Sequence, residues 1–118
     1  MSRFGIQLHA DWPLRDYGPL ASTIEDFGFA EVTVHDILWR RPVWAILALV
    51  AEHTNRVLVG PDVTNPFVRH PVATASNLAA LDELSAGRAV FGVGQGSMFG
   101  PAYICLLYTS DAADDLTR

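Results

Sequence analysis

The chain has 118 residues, half of them hydrophobic, which suits one compact domain. Its 13 acidic and 8 basic residues give a net charge of −5, which argues against a nucleic-acid-binding face built on clustered Lys and Arg. A single cysteine, Cys105, excludes a disulfide framework.

The opening MSRFGIQLHADWP lacks the long apolar core of a signal peptide. No apolar run approaches the length of a membrane span. A soluble, cytoplasmic protein is expected, with no membrane or nucleic-acid partner.

Phe4 to Leu8 reads as a short buried strand, and His9-Ala10-Asp11-Trp12-Pro13 as its exit loop. From Leu14, apolar residues recur at Tyr17, Leu20, Ile24 and Phe27, which lines one helical face. Gly28 supplies the stop. Phe29 to Val34 is a second strand, leading into His35-Asp36-Ile37-Leu38-Trp39.

Pro42 suits the first turn of a second helix, which carries Trp44, Ile46, Leu47, Val50 and Ala51 and ends near Glu52-His53-Thr54-Asn55. Arg56 to Val59 begins a third strand, and Pro61 to Pro71 forms a polar corner. A third helix runs from Pro71 to Leu84. After the turn Ser85-Ala86-Gly87-Arg88, a fourth strand spans Ala89 to Val93 and runs into Gly94, Gln95 and Gly96.

The order β-α-β-α-β-α-β argues an α/β fold with a parallel sheet. The first half of an eight-stranded barrel and a flavodoxin-like open sheet both satisfy it. No G-x-G-x-x-G fingerprint follows the first strand, which counts against a dinucleotide fold in the usual order. If the parent is a barrel, the chain exposes two unpaired edges and is expected to be poorly soluble alone.

In a parallel sheet the polar residues after each strand converge at the C-terminal edge: His9 and Asp11, His35 and Asp36, Asp62, Thr64 and Asn65, and Gln95. Histidine and aspartate both ligate metals, but neither a His-x-His pair nor H-E-x-x-H spacing occurs, so no metal site is assigned. Asp36 is the sharpest acid candidate, with His35 beside it; a helix cap is the competing role. Arg40-Arg41 reads as a helix start at a barrel rim or as a phosphate site. Glycines 92, 94 and 96 suit close approach to a flat ring or a tight turn, and a phosphate cradle competes.

The run TNPFVRHPVATASNLAALDELSAGRAVFGVGQGS, with the opening FGIQL and the looser GF-x-x-V-x-V-x-D from Gly28 to Asp36, resembles the luciferase-like flavin monooxygenase superfamily. The nearest flavour is its branch of coenzyme F420-dependent reductases and dehydrogenases, which includes methylenetetrahydromethanopterin reductase. The resemblance implies the truncated N-terminal half of a TIM-like (β/α)8 barrel that binds F420 or FMN at its C-terminal mouth. It implies an oxidoreductase acting on a small organic substrate, with dimerisation through early barrel helices.

By the same resemblance, Asp36 sits near the deazaflavin. Asp62 and Val63 match the region of a non-proline cis peptide that backs the ring, and Thr64 and Asn65 match the cofactor-facing corner. Gly94, Gln95 and Gly96 match the loop beside ring and substrate. Two departures stand out: Ile37 follows Asp36 where the branch often has histidine, and Asp62 stands where many members have glycine. A flavin monooxygenase proper and a non-catalytic barrel relative are the alternative readings.

The segment CLLYTSDAADD, Cys105 to Asp115, resembles a translated sequencing adapter. Residues 1–103 are therefore expected to form the barrel part, and residues 104–118 a non-native tail without functional meaning.

Overall fold

Short β-rich runs alternate with longer apolar-faced segments, and the backbone follows that alternation. The structure, a computed structural model, describes residues 2–95. In order they form β1 (Gly5–Leu8), α1 (Leu14–Asp26), β2 (Glu31–Val34), α2 (Val43–Glu52), β3 (Leu58–Pro61) and α3 (Pro71–Leu84). Prolines mark the helix starts: Pro13 and Pro42 are N-caps, and Pro71 is the first residue of α3. Gly28 closes α1 with φ 88°, a conformation that favours glycine.

The strands pair in parallel in the order β1-β2-β3, with Ile6, Val32 and Val59 in one row and Leu8, Val34 and Pro61 in another. This order separates the two architectures left open by the sequence. A flavodoxin-like sheet reverses after its first crossover and puts helices on both faces. Here each crossover advances the same way, so right-handed connections lay every helix on one face.

The core agrees. Leu8, Val32, Val34 and Val59 pack with Tyr17, Ala21 and Ile24 of α1 and with Val43, Ile46, Leu47 and Val50 of α2. Side chains alternate along a strand, so Gln7, Thr33 and Gly60 form a polar-to-small row on the other face. The result is an open α/β sheet of the kind with which a (β/α)8 barrel begins.

The expected fourth strand is present only in part. Residues 89–93 run parallel to β3 but join it through two isolated bridges, Val59 to Ala89 and Thr64 to Val93. The span is five residues on one side and four on the other (64 − 59 against 93 − 89), so one extra residue bulges from the corner. Pro61 adds a second cause, since it has no N–H to donate into the ladder. Around the gap, Gly92 N donates to Pro61 O at 3.1 Å and Thr64 N to Gly92 O at 2.9 Å.

Two glycines permit this approach. A Cβ on Gly60 would lie 1.9 Å from Val90 O, and one on Gly92 would lie 2.6 Å from Pro61 O. The third strand thus runs through Gly60 into Pro61, a residue that the sequence pattern assigns to the corner.

At the opposite, N-terminal edge of the sheet, two charged side chains knit the elements together. The Glu25 carboxylate, at the end of α1, accepts from the consecutive N–H groups of Asn55, Arg56 and Val57. Burial alone would raise its pKa, but these N–H groups and the Arg56 charge together hold it below the ordinary carboxylate value. The Arg88 guanidinium donates to Ala51 O, Thr54 O and Thr54 Oγ1 at the end of α2, to Val57 O before β3, and to Ser85 O.

Because the folded pKa of Glu25 is lowered, its contribution to stability is complete above the unfolded value near 4.5 and fades as pH falls through the lower folded value. Glu25→Gln should lower stability near pH 7 by about 1–3 kcal/mol, because its amide group faces N–H donors. It should also flatten the acid limb of a urea-unfolding series taken against pH. Arg88→Ala should cost about 3 kcal/mol or more in the same assay, since several buried carbonyls lose a charged donor.

Candidate functional site

Parallel pairing brings the segments after β1, β2, β3 and residues 89–93 to one edge. The exit from β1 is fixed by Tyr17 of α1, a fully buried ring whose hydroxyl donates to His9 O and accepts from Trp12 N. Burial pushes the Tyr17 phenol above its ordinary pKa, only partly offset by the Trp12 N–H and Arg41, so it stays protonated as a donor.

The exits from β1 and β2 are tied to each other. Arg40 pairs with the Asp11 carboxylate at 2.8 Å, and Arg41 donates to Asp11 O at 2.8 Å. These contacts absorb the basic pair, so the rim reading of Arg40-Arg41 accounts for both residues without a phosphate. The His9 and His35 rings meet with centroids 4.8 Å apart. Among the described residues, however, no three His, Cys, Asp or Glu side chains gather in a metal-ligating cluster.

Asp36 occupies the centre of the edge. Its side chain is 1% exposed. One carboxylate oxygen accepts from Thr64 Oγ1 at 2.7 Å and from Arg69 Nη1, and the other accepts from Arg69 Nη2 at 3.0 Å. The acid is therefore held by a fork of arginine donors and a hydroxyl from the corner, and these partners stand in place of the competing helix-cap role. Arg69 is the partner that sequence reasoning missed: it stands 33 residues away, and only the parallel pairing brings it close.

The corner itself runs from Asp62 to His70. The Asp62-Val63 peptide bond is cis. Gln7 Nε2, from the polar row of β1, donates to Asp62 O, and Asp62 N donates to Val34 O at 3.0 Å. Val63 is left 40% exposed, an apolar side chain presented at the edge. Asn65 is buried and turns inward on its own loop, its Oδ1 accepting from Phe67 N and Val68 N. His70 caps α3, its Nδ1 accepting from Val72 N. Gly94 N donates to Thr64 O at 2.9 Å, which sets Gly94 beside the corner, with exposed Gln95 following it. Gly96 and the tail 104–118 lie outside the described residues.

The structure thus brings Asp36, Thr64 and Asn65 together with Gly94, and places His35 toward His9. Among the described residues no helix is long and apolar enough to cross a membrane.

Residues 1–99 match the family described as luciferase-like monooxygenase. The chain is 40% identical over 93 residues to 5,10-methylenetetrahydromethanopterin reductase of Methanopyrus kandleri, covering 79% of this chain and 27% of that protein. The solved coenzyme F420-dependent tetrahydromethanopterin reductase from Methanopyrus kandleri superposes with a TM-score of 0.81 at 37% identity, over 86% of this chain and 29% of the other. The oxygenating constituent of 3,6-diketocamphane monooxygenase from Pseudomonas putida, in complex with FMN, superposes with a TM-score of 0.70 at 16% identity, a likeness of fold alone. It covers 88% of this chain and 33% of that structure. The chain spans under a third of the length of the reductases that it matches.

Tyr17→Phe should leave His9 O and Trp12 N without their shared hydroxyl and lower stability by about 1–3 kcal/mol. Faster proteolytic nicking between residues 9 and 13, with α2 still protected, would locate the effect in the β1 exit.

Proposed function

Because the chain belongs to the luciferase-like monooxygenase family, an oxidoreductase lineage, we propose that it is the opening part of an F420- or FMN-dependent enzyme acting on a small organic substrate. The observation that carries this reading is the corner after β3. It is held from β1 by Gln7, from β2 by Asp36 and from residues 92–94 by backbone hydrogen bonds, yet it leaves Val63 exposed. A flat heterocycle needs such a fixed apolar backing, with polar groups and accessible backbone around it.

In this reading the cofactor ring, when bound, supplies the redox chemistry, as a hydride carrier or as reduced flavin with oxygen. Val63 packs behind the ring, and Gly94, Gln95 and Gly96 border it. Asp36 holds Thr64 and the corner in place, while His35 stands at the mouth, within reach of His9. The identity to F420-dependent reductases supports F420 as the first cofactor to test. The parent is a homodimer in this reading, residues 1–103 are its native part, and residues 104–118 carry no function.

The test extends the chain to the length of its relatives and titrates the protein separately with F420 and with FMN, following fluorescence and absorbance. Tight F420 binding supports hydride transfer. FMN binding alone moves the reading to a flavin monooxygenase, and binding of neither overturns it in favour of a non-catalytic relative. Val63→Asp should weaken binding of the preferred cofactor by about tenfold, or roughly 1.4 kcal/mol, with little change in unfolding midpoint because the side chain is already exposed.

A further inference from the structure

Asp36 is gripped on both oxygens of its carboxylate. Three donors converge on its two oxygens: Thr64 Oγ1 at 2.7 Å, Arg69 Nη1 and Arg69 Nη2 at 3.0 Å. The pair is asymmetric in burial, with the Asp36 side chain 1% exposed and the Arg69 side chain 21%. A fork-on-fork arginine contact fixes the plane of the carboxylate as well as its charge. A carboxylate enclosed in this way has little left for direct contact with an external ring, because three fixed donors already occupy most of its roughly four lone-pair sites.

Thr64 lies near the start of the corner and Arg69 near its end. Thr64 is also tied by its backbone to Gly92 and Gly94, and Arg69 immediately precedes the cap of α3. One acid just after β2 therefore grips the corner at two points between β3 and α3.

We infer that Arg69 is a positioning residue for the cofactor-facing corner, and that Asp36 acts through Arg69 and Thr64 rather than by direct contact with the cofactor. This rests on the reading under Proposed function. It changes the role of the acid: Asp36 and Arg69 form one unit, and removing Arg69 leaves a buried carboxylate without its charged partner.

Two measurements on the protein at the length of its relatives separate the clamp from the cofactor reading. The first is amide hydrogen exchange without cofactor in Asp36→Asn, Arg69→Gln, the double variant and the conservative Arg69→Lys. Both single variants should speed exchange across residues 62–68, the double variant should be no faster than the worse single one, and Arg69→Lys should fall between Arg69→Gln and wild type.

The second is titration with whichever of F420 or FMN the wild-type protein binds. Asp36→Asn and Arg69→Gln should each weaken binding by about tenfold or more, with the same non-additivity and with matching absorbance spectra of the bound cofactor. The inference is overturned if Arg69→Gln behaves as wild type in both measurements. It is overturned as well if Asp36→Asn alone alters the bound spectrum, which would mark direct contact, or if the variants lower only the unfolding midpoint while affinity is unchanged. A wild-type protein that binds neither cofactor would remove the functional reading, and the exchange pattern alone would then decide whether the clamp exists.

Discussion

The C-terminal edge depends on how closely residues 89–94 approach β3. That approach is possible only because positions 60 and 92 carry no side chain: a Cβ on either would fall within 3 Å of a carbonyl oxygen. Once the two backbones are that near, Pro61 interrupts the ladder and one additional residue must bulge outward, which turns Val63 toward the edge and Thr64 back into the pairing. The hydroxyl of Thr64 then meets Asp36. Sheet pairing, bulge and acid clamp follow from one another in that order, and all three begin with missing methyl groups.

The polar groups of the edge divide into those that shape it and those left available. Tyr17, Arg40, Arg41, Asn65 and His70 are each engaged in tying a loop or capping a helix. Asp36 is likewise engaged. What the edge presents outward includes the apolar Val63, the glycine-bearing residues 92–95 and the paired rings of His9 and His35. A surface of this kind suits a ligand that brings its own chemistry and needs a stiff, shaped seat.

Much of the architecture was legible in the chain. The three- and four-residue spacing of Tyr17, Leu20 and Ile24, the prolines before each helix and the glycine after α1 mark elements that the structure retains within a few residues. These signals are local, and local signals survive without knowledge of the fold. Pro61 misled because it reads as a breaker. Its place at the end of β3 depends on how near a second backbone comes, which no local pattern encodes. Gln7, Glu25, Arg69 and Arg88 stayed hidden for a related reason. Their partners lie some thirty to fifty-five residues away, and a polar side chain at a surface-like position carries no mark of a distant carbonyl or carboxylate. The converging strand ends were visible, whereas the choice of which polar group grips which was not.

The ties made by Glu25 and Arg88 have a consequence for how such a chain can change over time. They sit below the strands, and the acid clamp sits above, separated by four-residue strands of about 3.3 Å rise per residue. That separation exceeds the distance, about 7–10 Å, within which substitutions usually interfere. Residues at the mouth can therefore be exchanged with effects that add to, rather than multiply, those at the base. A lineage built this way can try new mouths on an unchanged foundation.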